Sequence, residues 1–202
     1  MTKYRCPIEI YLHEIEIKRS RFIAQAIPLS DIDQLQQLQA QLRVTHNRAS
    51  HHCLAYVLGA PAQPKSAGSS DDGEPSGTAG KPMLNVLLQQ QIGDVGVVVT
   101  RYFGGIKLGA GGLIRAYAQS VSELVKLMPL QQVEIKKEVR ISYPYSLEPQ
   151  INRLVSQTDT FVVDEKFSET IHKTLRIVET EHLRLIASLA ELAHLGVFVD
   201  SD

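Results

Sequence analysis

The chain has 202 residues, of which 44% are hydrophobic, and this allows one large domain or two small ones with ordinary cores. The formal net charge of −1 excludes a polycation that coats nucleic acid, although residues 1–130 are mildly basic and residues 131–202 mildly acidic. Two cysteines exclude a disulfide framework, and no apolar run is long enough to span a membrane. We therefore expect a cytoplasmic protein without a membrane partner.

The first half of the chain predicts strands that alternate with helices. Alternating apolar residues over 8–17 predict a strand, and residues 21–27 predict a second strand paired with it. Residues 30–42 begin with a pattern similar to a capping box and continue as an amphipathic helix. Residues 51–58 predict a short strand. Residues 59–82 are rich in small and turn residues, and they predict a long loop of the kind that is often functional.

A glycine-rich stretch follows a predicted strand at residues 95–100 and opens a predicted helix at residues 113–127. Its five glycines are Gly104, Gly105, Gly109, Gly111 and Gly112. A strand that feeds such a turn and then a helix exposes backbone N–H groups that suit a phosphate or carboxylate. Arg101, Lys107 and Arg115 flank the stretch and could neutralise that charge. The stretch matches neither a Walker loop nor a dinucleotide loop, and the glycines could instead serve only positive φ angles and tight packing.

Three carboxylates, Asp71, Asp72 and Glu74, lie close together in the long loop. Oxygen ligands at this spacing could hold Mg²⁺ near a phosphate, or could act as acid or base. The same carboxylates could instead be solvated in a turn. A third interpretation is structural: they could cap a helix or pair with Arg101 or Lys81.

Further polar residues extend the candidate site. His51 and His52 invite a zinc interpretation, but neighbours in a strand face opposite sides, so we expect one of them to line a polar cleft with Arg48. Thr78 and Lys81 close the long loop at a helix start and could form a second anion-binding edge. Tyr102 could stack on bases or belong to the core.

The second half predicts the order βαββαβ, which is typical of a ferredoxin-like domain. The predicted boundaries are residues 1–130 for the first domain and 131–202 for the second. The last helix is predicted to start at a Thr180 cap and to bear the apolar residues Leu183, Ile186, Leu189, Ala190 and Ala193. The predicted elements are a strand at 133–143, a helix at 146–157, strands at 160–167 and 170–178, a helix from 180, and a strand at 197–199.

Several ordered motifs resemble those of the YigZ/IMPACT family, and the resemblance covers the whole chain. The motifs are residues 20–24 (SRFIA), 51–56 (HHCLAY), 70–75 (SDDGEP), 77–82 (GTAGKP) and 101–105 (RYFGG), followed by Leu108 and Gly109.

The resemblance implies an α+β fold in two domains. The first would be similar to domain four of elongation factor G, with an unusual left-handed βαβ crossover, and the second to domain five. Both of those domains contact ribosomal RNA, and eukaryotic members of the family regulate translation. The family supplies no catalytic residues to transfer.

The leading hypothesis is therefore a non-catalytic protein without a cofactor that binds RNA or the ribosome and regulates translation. An enzyme that acts on a small phosphorylated or carboxylated substrate is the alternative, with Asp72 or Glu74 as base or Mg²⁺ ligand beside the glycine loop. A scaffold that docks a translation factor is a third possibility. The oligomeric state stays open.

Overall fold

The computed structural model describes residues 3–201, and these form two compact units with an α+β architecture. The first unit is Lys3–Val133, and the second begins at Glu134. Each unit has its own hydrophobic core. The strands are β1 (Lys3–Pro7), β2 (Tyr11–Ile17), β3 (Ser20–Pro28), β4 (His51–Leu58), β5 (Ser66–Ser70), β6 (Val95–Tyr102), β7 (Leu130–Glu134), β8 (Lys136–Tyr143), β9 (Thr160–Phe167), β10 (Ile171–Val178) and β11 (Phe198–Ser201). The α-helices are α1 (Ile32–Thr45), α2 (Gly80–Gln89), α3 (Ala110–Leu127), α4 (Glu148–Ser156) and α5 (Glu179–Ala190).

The first unit is built on a five-stranded sheet in the order β2-β3-β6-β4-β5, in which every neighbouring pair is antiparallel. Side chains alternate between its two faces, as the pleat of a strand requires. Val97 and Val99 of β6 pack under α2 and α3, whereas Val98 packs against α1 on the opposite face. The sheet is therefore covered on both sides, and its central strands carry apolar residues on both faces.

The two crossovers of this sheet have opposite hands. Helix α1 connects β3 to β4 and α2 connects β5 to β6, and in each case the joined strands are parallel with an antiparallel strand between them. Compared with the first crossover, the second joins strands that point the opposite way and moves across the sheet in the opposite direction. These two reversals together equal a half-turn in the plane of the sheet, so they do not change the hand. The helix of the second crossover, however, lies on the other face of the sheet, so the hand is reversed. One crossover must therefore be left-handed, a rare arrangement that agrees with the family resemblance.

Several predicted boundaries in the first unit are wrong. The first predicted strand is interrupted at residues 8–10, and β2 begins only at Tyr11. The long loop contains an additional strand, β5, which pairs with β4 through its backbone although its sequence shows no apolar alternation. Helix α3 begins at Ala110 rather than Leu113. The sequence pattern misses its first turn because that turn contains two glycines, which are poor helix formers.

The second unit confirms the predicted ferredoxin-like order. Its four-stranded sheet has the order β11-β8-β10-β9, with every neighbouring pair antiparallel. The apolar residues predicted for the last helix do not all face the core: Leu189 is buried, but Leu183 is 78% exposed, and His182 and Leu185 are the other buried residues of the helix. The predicted Thr180 cap is also wrong, because α5 begins at Glu179. The predicted strand at 133–143 is divided into β7 and β8.

Candidate functional site

A pocket of about 390 Å³ lies at the edge of the first sheet where β4 begins and β6 ends, against the start of α3. We refer to it as the β6–α3 pocket. Its polar lining is Ser50, His51, Glu74, Arg101 and Lys107. Its apolar lining is Pro75, Phe103, Leu108 and Leu113, and the backbone at Gly109 and Ala110 completes the wall.

Arg101 is the most deeply placed cation of the pocket. Its side chain is buried, and one guanidinium nitrogen donates to Glu74 Oε1 at 2.6 Å. The guanidinium also lies over the rings of Phe22 and Phe103, at 5.5 and 5.8 Å from their centroids. Its Nε is buried and has no hydrogen-bond partner among residues 3–201. Such an unsatisfied buried donor is costly, and it is the kind of group that a ligand can satisfy.

Glu74 joins the pocket to the buried core of the unit. The Tyr117 hydroxyl donates to Glu74 Oε1 at 2.8 Å, and His51 Nε2 lies 3.8 Å from Glu74 Oε2. Behind them, Cys53 Sγ lies 3.3 Å from the Tyr117 hydroxyl oxygen. Burial is the main reason that the pKa of Tyr117 is raised and that of Cys53 reaches about 12. Tyr117 has no local motif that would have revealed its role from the sequence.

The two neighbouring histidines face opposite sides of the sheet, as the strand geometry predicted. The ring of His51 points to the pocket, and its Nδ1 lies 2.8 Å from the backbone carbonyl oxygen of Asp72. His52 is buried on the α1 side, where its Nδ1 lies 3.0 Å from the Thr100 hydroxyl and burial lowers the pKa of the ring. Only His51 therefore belongs to the pocket.

The N-terminus of α3 opens directly into the pocket. Gly109 precedes the helix with φ of +71°, and no described side chain caps the first turn. The backbone N–H groups of the first helical residues have no partner within a helix, and they carry its positive dipole end. Helix α3 has 18 residues, so the dipole is fully developed. This end of α3 therefore offers backbone N–H groups of the kind that suit an anion.

The glycine-rich stretch divides into structural and pocket-facing positions. A Cβ at Gly104 would lie 2.0 Å from the backbone of Arg19, and the Gly104 N–H donates to the Ser20 hydroxyl. Gly105 has φ of +81° and open space around it. Gly111 and Gly112 belong to the first turn of α3. Of the two interpretations of the glycines, tight packing is therefore the one that applies to Gly104.

The acidic cluster has structural partners, in agreement with the third of its three interpretations. Both oxygens of Asp71 accept backbone N–H groups at the start of α2, from Gly77, Ala79 and Gly80, at 2.7 to 3.0 Å. Burial raises the pKa of Asp71, but these hydrogen bonds outweigh that effect and hold the pKa below its ordinary value. Asp71 thus occupies the anion-binding end of α2, so the second anion-binding edge predicted at Thr78 and Lys81 is already filled.

Asp72 fastens the same loop to the sheet. Its carboxylate pairs with Arg43 and accepts the backbone N–H of His52 at 2.6 Å. With Asp71 on backbone amides and Glu74 on Arg101, the three carboxylates do not converge on one point. Among residues 3–201, no group of three or more His, Cys, Asp or Glu side chains could hold a metal ion. The Mg²⁺ site suggested by their spacing is not formed.

The remaining candidates lie around the pocket or away from it. The Tyr102 hydroxyl lies 2.9 Å from His46 Nδ1, on the side of the sheet opposite Arg101, so Tyr102 does not join the pocket. Arg48 is exposed in the turn before β4. Thr78 is buried, and its hydroxyl donates to the backbone carbonyl oxygen of Pro75. Lys81 lines a separate groove of about 300 Å³ between α2 and α3, together with Ile114.

Three exposed cations border the start of α3 without neutralising partners. Lys81, Lys107 and Arg115 form no ion pair or hydrogen bond with any described residue. The guanidinium of Arg115 lies close to the first turn of α3: a Cβ added at Gly111 would be 3.7 Å from one of its nitrogens. The carboxylates in residues 71–94 are all engaged elsewhere. These three cations therefore present positive charge that no carboxylate pairs with directly among the described residues.

None of the helices described between residues 3 and 201 is long and apolar enough to cross a membrane.

Comparison of the chain with known proteins finds a matching family model and several similar proteins. The family model described as the Impact N-terminal domain matches residues 18–125. An IMPACT family member of Haemophilus influenzae is 38% identical and covers 89% of the chain and 87% of its own length. IMPACT family member YigZ of Escherichia coli is 34% identical, with 88% and 87% covered. A solved structure described as a hypothetical protein is 30% identical, with a TM-score of 0.68 over 98% of the chain and 97% of its own length.

Proposed function

The chain belongs to the IMPACT family, and from that premise we propose that it is a non-catalytic RNA- or ribosome-binding protein that acts in the regulation of translation. The observation that carries the proposal is the set of exposed, unpaired cations around the uncapped start of α3. Lys81, Lys107 and Arg115 can each neutralise a backbone phosphate, and the α3 amide N–H groups can donate hydrogen bonds to one. The family resemblance implies domains like those of elongation factor G that contact ribosomal RNA, and this supports the same interpretation.

Binding fits the geometry of the acidic residues better than catalysis does. The carboxylate of Asp72 is held by Arg43 and by the backbone of His52. Glu74 is buried, and it shares Oε1 between Arg101 and Tyr117. A general base has to reach the proton that it abstracts, whereas the carboxylate of Asp72 is occupied by its contacts with Arg43 and His52.

The test is binding of the full chain to purified ribosomal subunits and to short RNA over a range of salt concentrations. The variant is Lys107→Ala/Arg115→Ala, which removes two exposed cations beside α3. The matched control is Lys65→Ala/Lys126→Ala, which removes the same charge from exposed positions after β4 and at the far end of α3. Because each neutralised phosphate releases counterions, we expect the salt slope of the variant to fall by roughly 1.4 for single-stranded RNA.

We expect the control to retain the slope and affinity of the unmodified chain. Salt-independent binding, or equal losses in the variant and the control, would contradict the proposal because neither result depends on the start of α3. Absence of binding at low salt would contradict it outright.

A further inference from the structure

The β6–α3 pocket has features that a surface contact to an RNA backbone does not need. A phosphate on a smooth groove requires only exposed cations and amides. Here a cavity of about 390 Å³ also has an apolar wall and a buried cation with an unsatisfied donor. Cavities of this size and mixed lining are typical of sites for small ligands.

We propose that the β6–α3 pocket binds one nucleotide unit, a flat ring that carries a phosphate, supplied as a free mononucleotide or as one nucleotide of an RNA chain. The inference rests on the proposed function and names what the same site recognises. The phosphate lies at the start of α3, and the ring lies between Phe103 and the apolar wall.

The phosphate end is defined by two independent features. The first is the uncapped start of α3, whose amides at Ala110, Gly111 and Gly112 lack helical partners. The second is Arg101, which is only 6% exposed, lines the pocket and has a buried Nε without a partner among residues 3–201. Lys107 stands at the mouth and adds a flexible positive charge.

The charge balance favours an anion in this place. Glu74 neutralises Arg101 and leaves it as a hydrogen-bond donor with little net charge. The positive end of α3 and Lys107 remain uncompensated beside it. A group with one or two negative charges completes this arrangement, because the only carboxylate that lines the pocket among residues 3–201, Glu74, is already paired with Arg101.

The ring end is defined by Phe103 and its neighbours. Phe103 is 51% exposed although it is large and apolar, and the Arg101 guanidinium lies 5.8 Å from its centroid. Leu108 and Leu113 form the facing wall. Bases stack on aromatic rings, and the exposed ring of Phe103 offers such a surface. The His51 ring and the Ser50 hydroxyl can hydrogen-bond to the edge of such a ring.

The test uses the full chain with AMP, GMP, CMP, UMP and inorganic phosphate as probes, measured by calorimetry and by chemical shifts of the Gly109–Gly112 amides. Base stacking predicts that at least one mononucleotide binds about 5- to 150-fold more tightly than inorganic phosphate. Phe103→Ala should remove that advantage and leave phosphate binding unchanged. Ile106→Ala is the matched control, because Ile106 is an exposed residue of the same loop that does not line the pocket.

The outcomes separate this inference from the proposed function. Equal affinity for phosphate and for every mononucleotide overturns it, as does RNA binding without detectable mononucleotide binding. Loss of nucleotide binding in both Phe103→Ala and Ile106→Ala also overturns it, because the effect would then lie in the loop rather than the ring contact.

Two supporting outcomes identify the source of the nucleotide. Weaker RNA binding in Phe103→Ala, with competition by mononucleotides, identifies RNA as the source. Mononucleotide binding with RNA binding unaffected by Phe103→Ala identifies a free nucleotide. Mononucleotide binding without any RNA binding supports the pocket while overturning the proposed function.

Discussion

Burial decides what each charged residue of the first unit does. Arg101 and Arg115 flank the same glycine-rich stretch, and both are expected from the sequence to contact phosphate. Arg115 is exposed and unpaired, whereas Arg101 is buried on Glu74. Removing one partner of a buried ion pair leaves an uncompensated charge, so a change at Arg101 would perturb the fold as well as the pocket. This is why the binding test relies on Lys107 and Arg115.

Cys53 provides a prediction at the residue scale. Its thiol is fully buried, and burial raises its pKa to about 12, with the nearby Glu74 acting in the same direction. Because the thiolate is the reactive form, we expect Cys53 in the folded chain to resist a thiol reagent at mildly alkaline pH. The measurement is labelling of a Cys6→Ser variant with and without denaturant. Rapid labelling without denaturant would show that Cys53 is accessible and would contradict the buried Cys53–Tyr117–Glu74 arrangement.

At the residue scale, the sequence predicted local relations better than distant ones. That His51 and His52 face opposite sides follows from strand geometry alone, and it was predictable. The pairing of Glu74 with Arg101 joins residues that lie 27 positions apart. The sequence suggested this pairing as one of several roles for the acidic cluster, but no rule of residue spacing distinguishes it from the other roles. The contribution of Tyr117 was missed because a tyrosine on an apolar helix face gives the same pattern as a core residue.

At the scale of elements, α2 and α3 show two ways to treat a helix start. Asp71 caps α2 and fills its anion-binding end with the chain's own carboxylate. Helix α3 starts at Gly109, whose missing side chain leaves the same kind of site open. Of these two helices, only α3 can offer its positive dipole end to a ligand, which explains why the pocket lies at α3.

Replacing Asp71 should destabilise the first unit through α2. We expect Asp71→Ala to lower the free energy of unfolding by about 1–2 kcal/mol near neutral pH, because it removes a charged cap. The folded-state pKa of Asp71 lies below its ordinary value of 3.8, so this stabilisation is present above that value and is lost as pH falls through the folded pKa. Urea unfolding of the variant and the unmodified chain at several pH values tests both points.

Glu9→Ala serves as the control for Asp71, because Glu9 is an exposed carboxylate with no partner among the described residues. We expect its unfolding curve to match that of the unmodified chain at every pH. If the gap between Asp71→Ala and the unmodified chain stayed constant into strong acid, Asp71 would not be acting as an ionised cap.

Elements with a regular apolar pattern were predictable, and those held by backbone alone were not. Strand β5 has the sequence Ser-Ala-Gly-Ser-Ser, and it is defined by its pairing with β4. Gly68 is required there, because a Cβ would lie 2.7 Å from the Tyr56 ring. The buried face of α5 was misjudged because Leu183, although apolar, is exposed, and the true stripe is set by Leu185 and Leu189.

At the scale of the whole molecule, each unit has ion-paired cations, and in the first unit an unpaired cation, Lys107, also lines a pocket. In the second unit, Lys137, Arg140, Lys166, Lys173 and Arg176 are all ion-paired with carboxylates. In the first unit, the cations around α3 are unpaired. The mild charge asymmetry of the sequence agrees with the presence of these unpaired cations in the first unit, although the opposite hands of the two crossovers could not have been obtained from periodicity.

Separating the two units tests where binding resides. The first unit has its own cores, so we expect a fragment of residues 1–133 to fold with a cooperative thermal transition. All the cations and amides invoked for RNA lie in it. The fragment should therefore bind ribosomal subunits with the salt slope of the full chain, while residues 134–202 alone should not bind. A folded fragment that has lost binding would show that the start of α3 is insufficient and that the second unit supplies essential contacts.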